Sequence, residues 1–271
     1  MTSCASLIWR VGDFESEKIS LETPLASATL PPLPDDTKQF QSPENASLPK
    51  PGQDRDLVDA ADDFRRILYP NGKVDGQEDD LDRSEQFQIL EAEARRIGSL
   101  FDGLEPYVEG GREHDLIYDD LTETVLKFTK PSSAAYVVDF VNGNPILSNG
   151  DPLEYLERSI LHNEVFGDIT RFVGIGGLPN NRRIITRQIR AKGREARWDE
   201  IKRLMVDELG FTKLRHNYGI GYEDSYAFMR DGIAVFDMRP ANIFMTDPGV
   251  LIVIDSIPVR LTEEELRMFR P

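Results

Sequence analysis

The stretch Asp237-Met-Arg-Pro-Ala-Asn242, with Asp255 thirteen residues further on at the end of Val250-Leu-Ile-Val-Ile254, constrains the fold more than any other part of this chain. Ile233-Ala-Val-Phe236 is an apolar run of strand formers, so it predicts a buried strand with Asp237 at its end, where the backbone turns outward. Ile243-Phe-Met245 and Val250–Ile254 flank Thr246-Asp-Pro-Gly249, a strong turn signal, and together predict a hairpin that returns Asp255 to the neighbourhood of Asn242. Two carboxylates and an amide oxygen converging at strand ends make an oxygen-rich site suited to magnesium, an ion that retains waters and takes few protein ligands beside substrate phosphates. Taken singly, Asp237, Asn242 and Asp255 read equally well as residues capping strands and turns; the spacing of all three sets them apart.

A lysine lies inside a second predicted strand, Thr124-Val-Leu-Lys127-Phe-Thr129, which follows Glu113–Tyr118 across the turn residues 119–122. By itself a strand lysine is a gatekeeper against edge pairing. Asp151-Pro-Leu-Glu154 predicts a helix start, with Asp151 as N-cap, Pro152 at the first helical position and Glu154 completing a capping box. Leu153, Leu156, Ile160 and Leu161 form its apolar stripe, and Glu157 is expected on the buried-facing side, where a carboxylate needs a cation. Lys127 is the expected partner, with Glu164 as the rival carboxylate.

Residues from about 104 to 262 resemble the small Ser/Thr/Tyr kinase domain of bacterial and phage polyvalent proteins. The resemblance rests on Glu109-Gly-Gly-Arg-Glu-His114, the Lys127 strand, the helix from Leu153 and the Asp237–Asn242–Asp255 spacing. It implies an α+β, compact, bilobal protein-kinase-like fold with an abbreviated C-terminal lobe, since 16 residues follow Asp255. It also implies ATP and Mg²⁺ as cofactors. In such a site Asp237 orients the acceptor hydroxyl and takes its proton, Asn242 and Asp255 hold magnesium, Lys127 holds phosphate, and Glu157 positions Lys127. Gly110, Gly111 and Gln188, the last at an expected hinge, would contact the nucleotide. The chain departs from the kinase pattern in three places: Val235-Phe236 replaces His-Arg, Asp255-Ser-Ile257 replaces Asp-Phe-Gly, and the full glycine-rich loop is missing. The implied activity is phosphorylation of a protein hydroxyl; a small-molecule kinase and a pseudokinase acting as an interaction module are the alternatives.

The front of the chain reads differently. Residues 1–53, with Thr29-Leu-Pro-Pro-Leu-Pro-Asp-Asp36, are rich in Pro, Ser and charge and are expected to be disordered. Residues 54–103 are expected to form a helical extension, and 104–271 the kinase-like domain. Leu57, Ala61, Phe64 and Leu68 mark one helical stripe, a surface for the domain or for a partner chain of the helix at 54–69. Phe87, Leu90, Ala94, Ile97 and Phe101 mark another, capped by Asp82 with Glu85. The acidic linker between them, Asp75–Asp82, lacks the ligand spacing of a calcium loop.

A net charge of −16 argues against nucleic acid or an anionic membrane as the main partner. No segment approaches a membrane span. The single cysteine, Cys4, excludes an internal disulfide and fits a reducing, cytoplasmic setting. Arg182, Arg183, Arg187, Arg190, Lys192, Arg194, Arg197, Lys202 and Arg203 concentrate positive charge in one stretch, either a solvated face or a contact for phosphate or an acidic substrate, and a helix is expected over 194–209.

Overall fold

The computed structural model describes residues 48–70, 81–131, 134–142, 144–167, 169–247 and 249–269. Most of the N-terminal segment expected to be disordered, and most of the acidic linker, lie outside these residues. Helices α1 (Leu57–Leu68) and α2 (Arg83–Ile97) lead into strands β1 (Leu100–Asp102), β2 (His114–Asp119), β3 (Thr124–Thr129), β4 (Ala135–Val141) and β5 (Asn144–Gly150). Helix α3 (Pro152–Phe166) precedes β6 (Thr170–Gly177), β7 (Arg183–Ile189) and β8 (Arg194–Glu195). Then come α4 (Trp198–Lys202), β9 (Thr212–Lys213), β10 (Tyr226–Arg230), β11 (Ile233–Met238), β12 (Ile243–Met245), β13 (Leu251–Val253), β14 (Ile257–Arg260) and α5 (Glu263–Phe269).

The mixture is α+β. Strands β1-β6-β7-β3-β2 form one sheet, antiparallel except at its edge, where β1 runs parallel to β6. The β4–β5 hairpin stands apart from it. Strands β14-β11-β10-β9 form a second sheet, and β13-β12-β8 a small third one.

Alternation along the strands divides the apolar residues between two faces of the first sheet. Leu126, Phe128, Val173 and Ile185 fill one face with Leu104 and Ile117. On the other, Phe172, Ile175 and Ile184 pack against Leu57, Phe64 and Leu68 of α1, Leu90 and Ala94 of α2, and Leu153 and Leu156 of α3. Helices α1 and α2 therefore share the core with α3. The four residues of the α1 stripe are all buried, and the capping boxes expected at Asp82–Glu85 and Asp151–Glu154 both form. Residues 48–53, expected to be disordered, lead into a segment tied to the sheet: Arg55 bridges to Phe172, and Arg187 reaches Asp54 at 2.6 Å.

Strand β11 is buried on both faces, as its unbroken apolar run implies: Ile233 and Val235 point to one core, Ala234 and Phe236 to another. The helix expected over 194–209 begins later. Arg194 and Glu195 pair with Met245 and Phe244 of β12, and α4 then passes into a π-helical segment, Arg203–Glu208. Backbone pairing to β12 is a tertiary contact that local helix preference does not register.

Phe64 and Phe172 meet edge to face at 5.3 Å between ring centres, linking α1 to the sheet. Phe172→Ala should lower unfolding free energy by about 3–5 kcal/mol, and adding Phe64→Ala should cost less than the sum of the two single changes because each ring lines the other's cavity. Urea titrations of the three variants, followed by far-UV circular dichroism, check both the size and the non-additivity.

Candidate active site

Lys127 sits in the middle of β3, paired with Leu116 of β2 and Thr186 of β7. The two-residue period turns it away from Leu126 and Phe128 and towards α3. Its Nζ donates a 2.6 Å hydrogen bond to the carbonyl of Ile254, immediately before Asp255. The Ile254 N–H donates in turn to the Asn242 carbonyl at 2.9 Å. One residue, Ile254, thus connects the lysine strand of the first sheet with the loop after β11.

Asp237 and Asn242 are coupled directly. The Asn242 amide nitrogen donates to the Asp237 main-chain oxygen at 2.8 Å and to its Oδ2 at 3.0 Å. Both partners are pure acceptors, which fixes the orientation of the amide and leaves Oδ1 as its free ligating end. Asp237 has a left-handed backbone (φ 57°), a conformation Asp tolerates better than most residues. Its Oδ1 accepts from the Tyr222 N–H at 3.0 Å. Gly221 lies so close that a Cβ there would come within 2.4 Å of Asp237 Oδ1, and its φ of 81° also demands glycine. Burial raises the Asp237 pKa above the ordinary carboxylate value, opposed by the Tyr222 N–H, Arg239 and Asn242.

Asp237, Asn242, Asp255, Lys127 and Gly111 line one cleft of about 270 Å³, together with Arg112, Glu113, His114, Tyr222 and Arg239. Gly110 lies just outside the lining, with the His114 carbonyl against it where a side chain would stand. Gln188, the expected hinge contact, is inside β7, paired with Val125 and Thr170, and lines a separate small polar cavity behind Lys127. Hinge placement from sequence fails there because β7 continues through Gln188 to Ile189.

The expected Glu157–Lys127 pair does not form. Glu157 binds Arg65 of α1 at 2.8 Å on the exposed face, and Glu164 binds Arg260 at 2.6 Å. Helix α3 is rotated by about one residue, roughly 100°, from the register assumed. The residues it turns into the small cavity behind Lys127 are Tyr155, Arg158, Ser159 and His162. Arg158 pairs with Glu113 at 2.7 Å, both buried. The charges are therefore reversed relative to expectation, with a helical cation and a strand-end carboxylate. The sequence signal was present as polar residues at the i, i+3, i+4, i+7 spacing of a helix whose apolar stripe had seemed sufficient.

Lys127 is enclosed by protein although part of its surface reaches the cleft. Burial lowers its pKa, with Asp255 and Glu113 working against that fall. Burial acts to raise Asp255, but Lys127, His114, Arg158 and His162 together outweigh it, and the carboxyl stays below its usual range. His114 and His162 are pushed down to about 3, first by burial and then by Lys127. The His114 ring is held by Tyr155, whose hydroxyl also reaches Thr186 at 3.0 Å.

Magnesium wants oxygen ligands, and the Asn242 Oδ1 and the Asp255 carboxylate supply them in one cleft. Glu113, His114 and Asp255 also bring ligating atoms within 4.8 Å of one another, but Arg158 and Lys127 already answer those two carboxylates.

Glu113→Ala should lower stability by about 3–5 kcal/mol by leaving the Arg158 charge buried and unpaired, whereas Glu157→Ala, at an exposed pair, should change it by less than about 1 kcal/mol. Denaturant melts of both variants distinguish this pairing from the one expected on sequence grounds. The histidines give a pH test. Their folded pKa values of about 3 lie below the ordinary histidine value of 6.5, so the unfolded chain binds more protons between those limits. Stability is complete above pH 6.5 and falls on acidification through that window, by at most about 1.4 kcal/mol per pH unit for each histidine. His162→Gln should flatten the acid limb of Tm against pH; an unchanged slope would show that His162 titrates normally.

The family described as Serine/Threonine/Tyrosine Kinase found in polyvalent proteins matches residues 84–263, from the first turn of α2 to the start of α5. No curated protein and no solved structure matches the chain. Among the described residues no helix is long and apolar enough to cross a membrane. The matched span covers most of the chain and contains every residue that lines the cleft, and the protein belongs to this kinase family.

Proposed function

We propose that the protein is an ATP- and magnesium-dependent phosphotransferase acting on a protein hydroxyl, with the two β systems serving as the two lobes of a kinase. The reading is carried by one observation: Lys127 from one sheet shares a cleft with Asp237, Asn242 and Asp255 from the other side of the chain. ATP is the phosphoryl donor. Lys127 faces its phosphates as a fixed cation, held by the Ile254 carbonyl and the Asp255 charge in place of a helical glutamate. Asn242 and Asp255 would hold magnesium, which neutralises charge on the transferring group when bound. Gly111 offers close backbone approach to the nucleotide.

Asp237 acts on the acceptor. The acceptor oxygen forms its bond to the terminal phosphorus as the bond to the ADP oxygen breaks, and Asp237 takes the hydroxyl proton. The N–H of Tyr222 and the amide of Asn242 hold the carboxylate from two directions, so the base is oriented before substrate arrives. A raised pKa suits a proton acceptor better than a fully stabilised carboxylate does.

Asp237→Asn should cut phosphoryl transfer by about 10²-fold or more, the usual scale for a positioned general base, while magnesium-dependent ATP binding persists. Asp255→Asn should weaken that binding itself by withdrawing a charge from the ion. Thermal shifts with ATP, with and without magnesium, and radiolabel transfer decide the matter. Equal shifts in both conditions for the parent protein remove the metal assignment, and a magnesium-dependent shift without transfer to any acceptor leaves a nucleotide-binding pseudokinase.

A further inference from the structure

Arg112, Tyr222 and Arg239 line the cleft with side chains that the proposed chemistry does not use. The Arg239 guanidinium lies 3.7 Å from the centre of the Tyr222 ring, and that of Arg112 lies 5.2 Å from the same centre. Tyr222 is 40 % exposed, and its main-chain N–H is the group that holds Asp237. The loop carrying it is fixed: the Asn217 amide nitrogen donates to the Tyr222 carbonyl at 2.6 Å, and Asn217 Oδ1 accepts from the Gly219 N–H. A hydroxyl held at Asp237 would lie in the cleft that this ring and its two cations also line.

Arg112 differs from the arginines of the basic stretch. Within the stretch expected to meet an acidic ligand, Arg182, Arg183, Arg187, Arg190 and Arg194 are all paired with carboxylates of this chain. Arg112 is exposed, and among the described residues it makes no ion pair. Arg239 has a buried Nε without a hydrogen-bond partner, 3.6 Å from Asp237. On a chain of net charge −16, an exposed guanidinium with no ion pair among the described residues, beside an Arg239 whose ion-pair partner is Asp237 at 3.6 Å, marks a place for a ligand's anion.

Building on the kinase reading above, we infer that Arg112, Tyr222 and Arg239 are the acceptor-recognition site, and that the acceptor is a peptide segment whose hydroxyl residue is flanked by acidic side chains. Stacking on Tyr222 holds the guanidinium planes in place, so their N–H donors face an incoming carboxylate at reduced entropic cost. The nucleotide's terminal phosphate carries the same anion chemistry, and the test separates the two sources.

The full chain, saturated with magnesium and a non-hydrolysable ATP analogue, is titrated against two labelled peptides, one with serine among glutamates and one with serine among lysines, by fluorescence anisotropy. The glutamate peptide should bind more tightly. Arg112→Ala should weaken its binding roughly tenfold or more, the scale of a hydrogen bond to a charged group, Arg112→Lys should recover part of the loss, and the magnesium–ATP thermal shift should be retained. Arg112 is exposed, so its removal leaves the core intact. Equal binding of the two peptides, binding of neither, or an equal loss of nucleotide affinity in Arg112→Ala overturns the inference. A parent protein without a magnesium-dependent ATP shift instead defeats the kinase reading, through a measurement that contains no peptide.

Discussion

The contact between Lys127 and the carbonyl of Ile254 ties the first sheet to the connection between β13 and β14 through an enclosed charge. A lysine enclosed by protein is tolerated only if its charge is answered, and here the answer comes from the opposite sheet: a carbonyl oxygen, then the Asp255 carboxylate beside it. Removing the second β system would leave a buried ammonium on β3, and removing Lys127 would leave Asp255 without its largest favourable partner. Mutual dependence of this kind selects one relative placement of the halves among many that apolar packing alone would permit. Glu113 and Arg158 add a second enclosed pair next to the first, so the cleft floor balances two cations against two carboxylates.

Most of the elements could be read in the sequence because local physics decides them. Capping boxes, a proline at a helix start and short runs of apolar and β-branched residues point to α2, α3, β3 and β11 near their observed limits. The spacing of Asp237, Asn242 and Asp255 led to a shared cleft for the same reason, since a strand end, a short turn and a hairpin leave little freedom. What the sequence hid was rotational. Helix α3 carries apolar residues around much of its circumference, and choosing its inward polar face required knowing that α1 covers one side of it. With α1 in place Glu157 meets Arg65, and the inward position passes to Arg158. Tyr222 and Gly221 were missed because they act through a main-chain N–H and through the lack of a side chain, neither of which leaves a spacing pattern.

Electrostatics divide the molecule into two regimes. Over most of the surface, acidic and basic side chains neutralise each other within the chain, as Arg182 does between Glu91 and Asp102. Exposed pairs of this kind add little stability, but they remove those cations from competition for outside anions. At the cleft Arg239 faces Asp237, while Arg112, beside the Tyr222 ring, has no ion pair among the described residues.

Helix α1 precedes the span shared with the kinase family, yet its apolar stripe lies wholly within the core and its Phe64 closes over Phe172. The cooperative folding unit is therefore longer than the family unit. Cutting this chain at the family boundary would take away the helix that covers Phe172, Ile175 and Ile184, so the sheet would lose one wall of its core while the lysine strand on the same sheet remained.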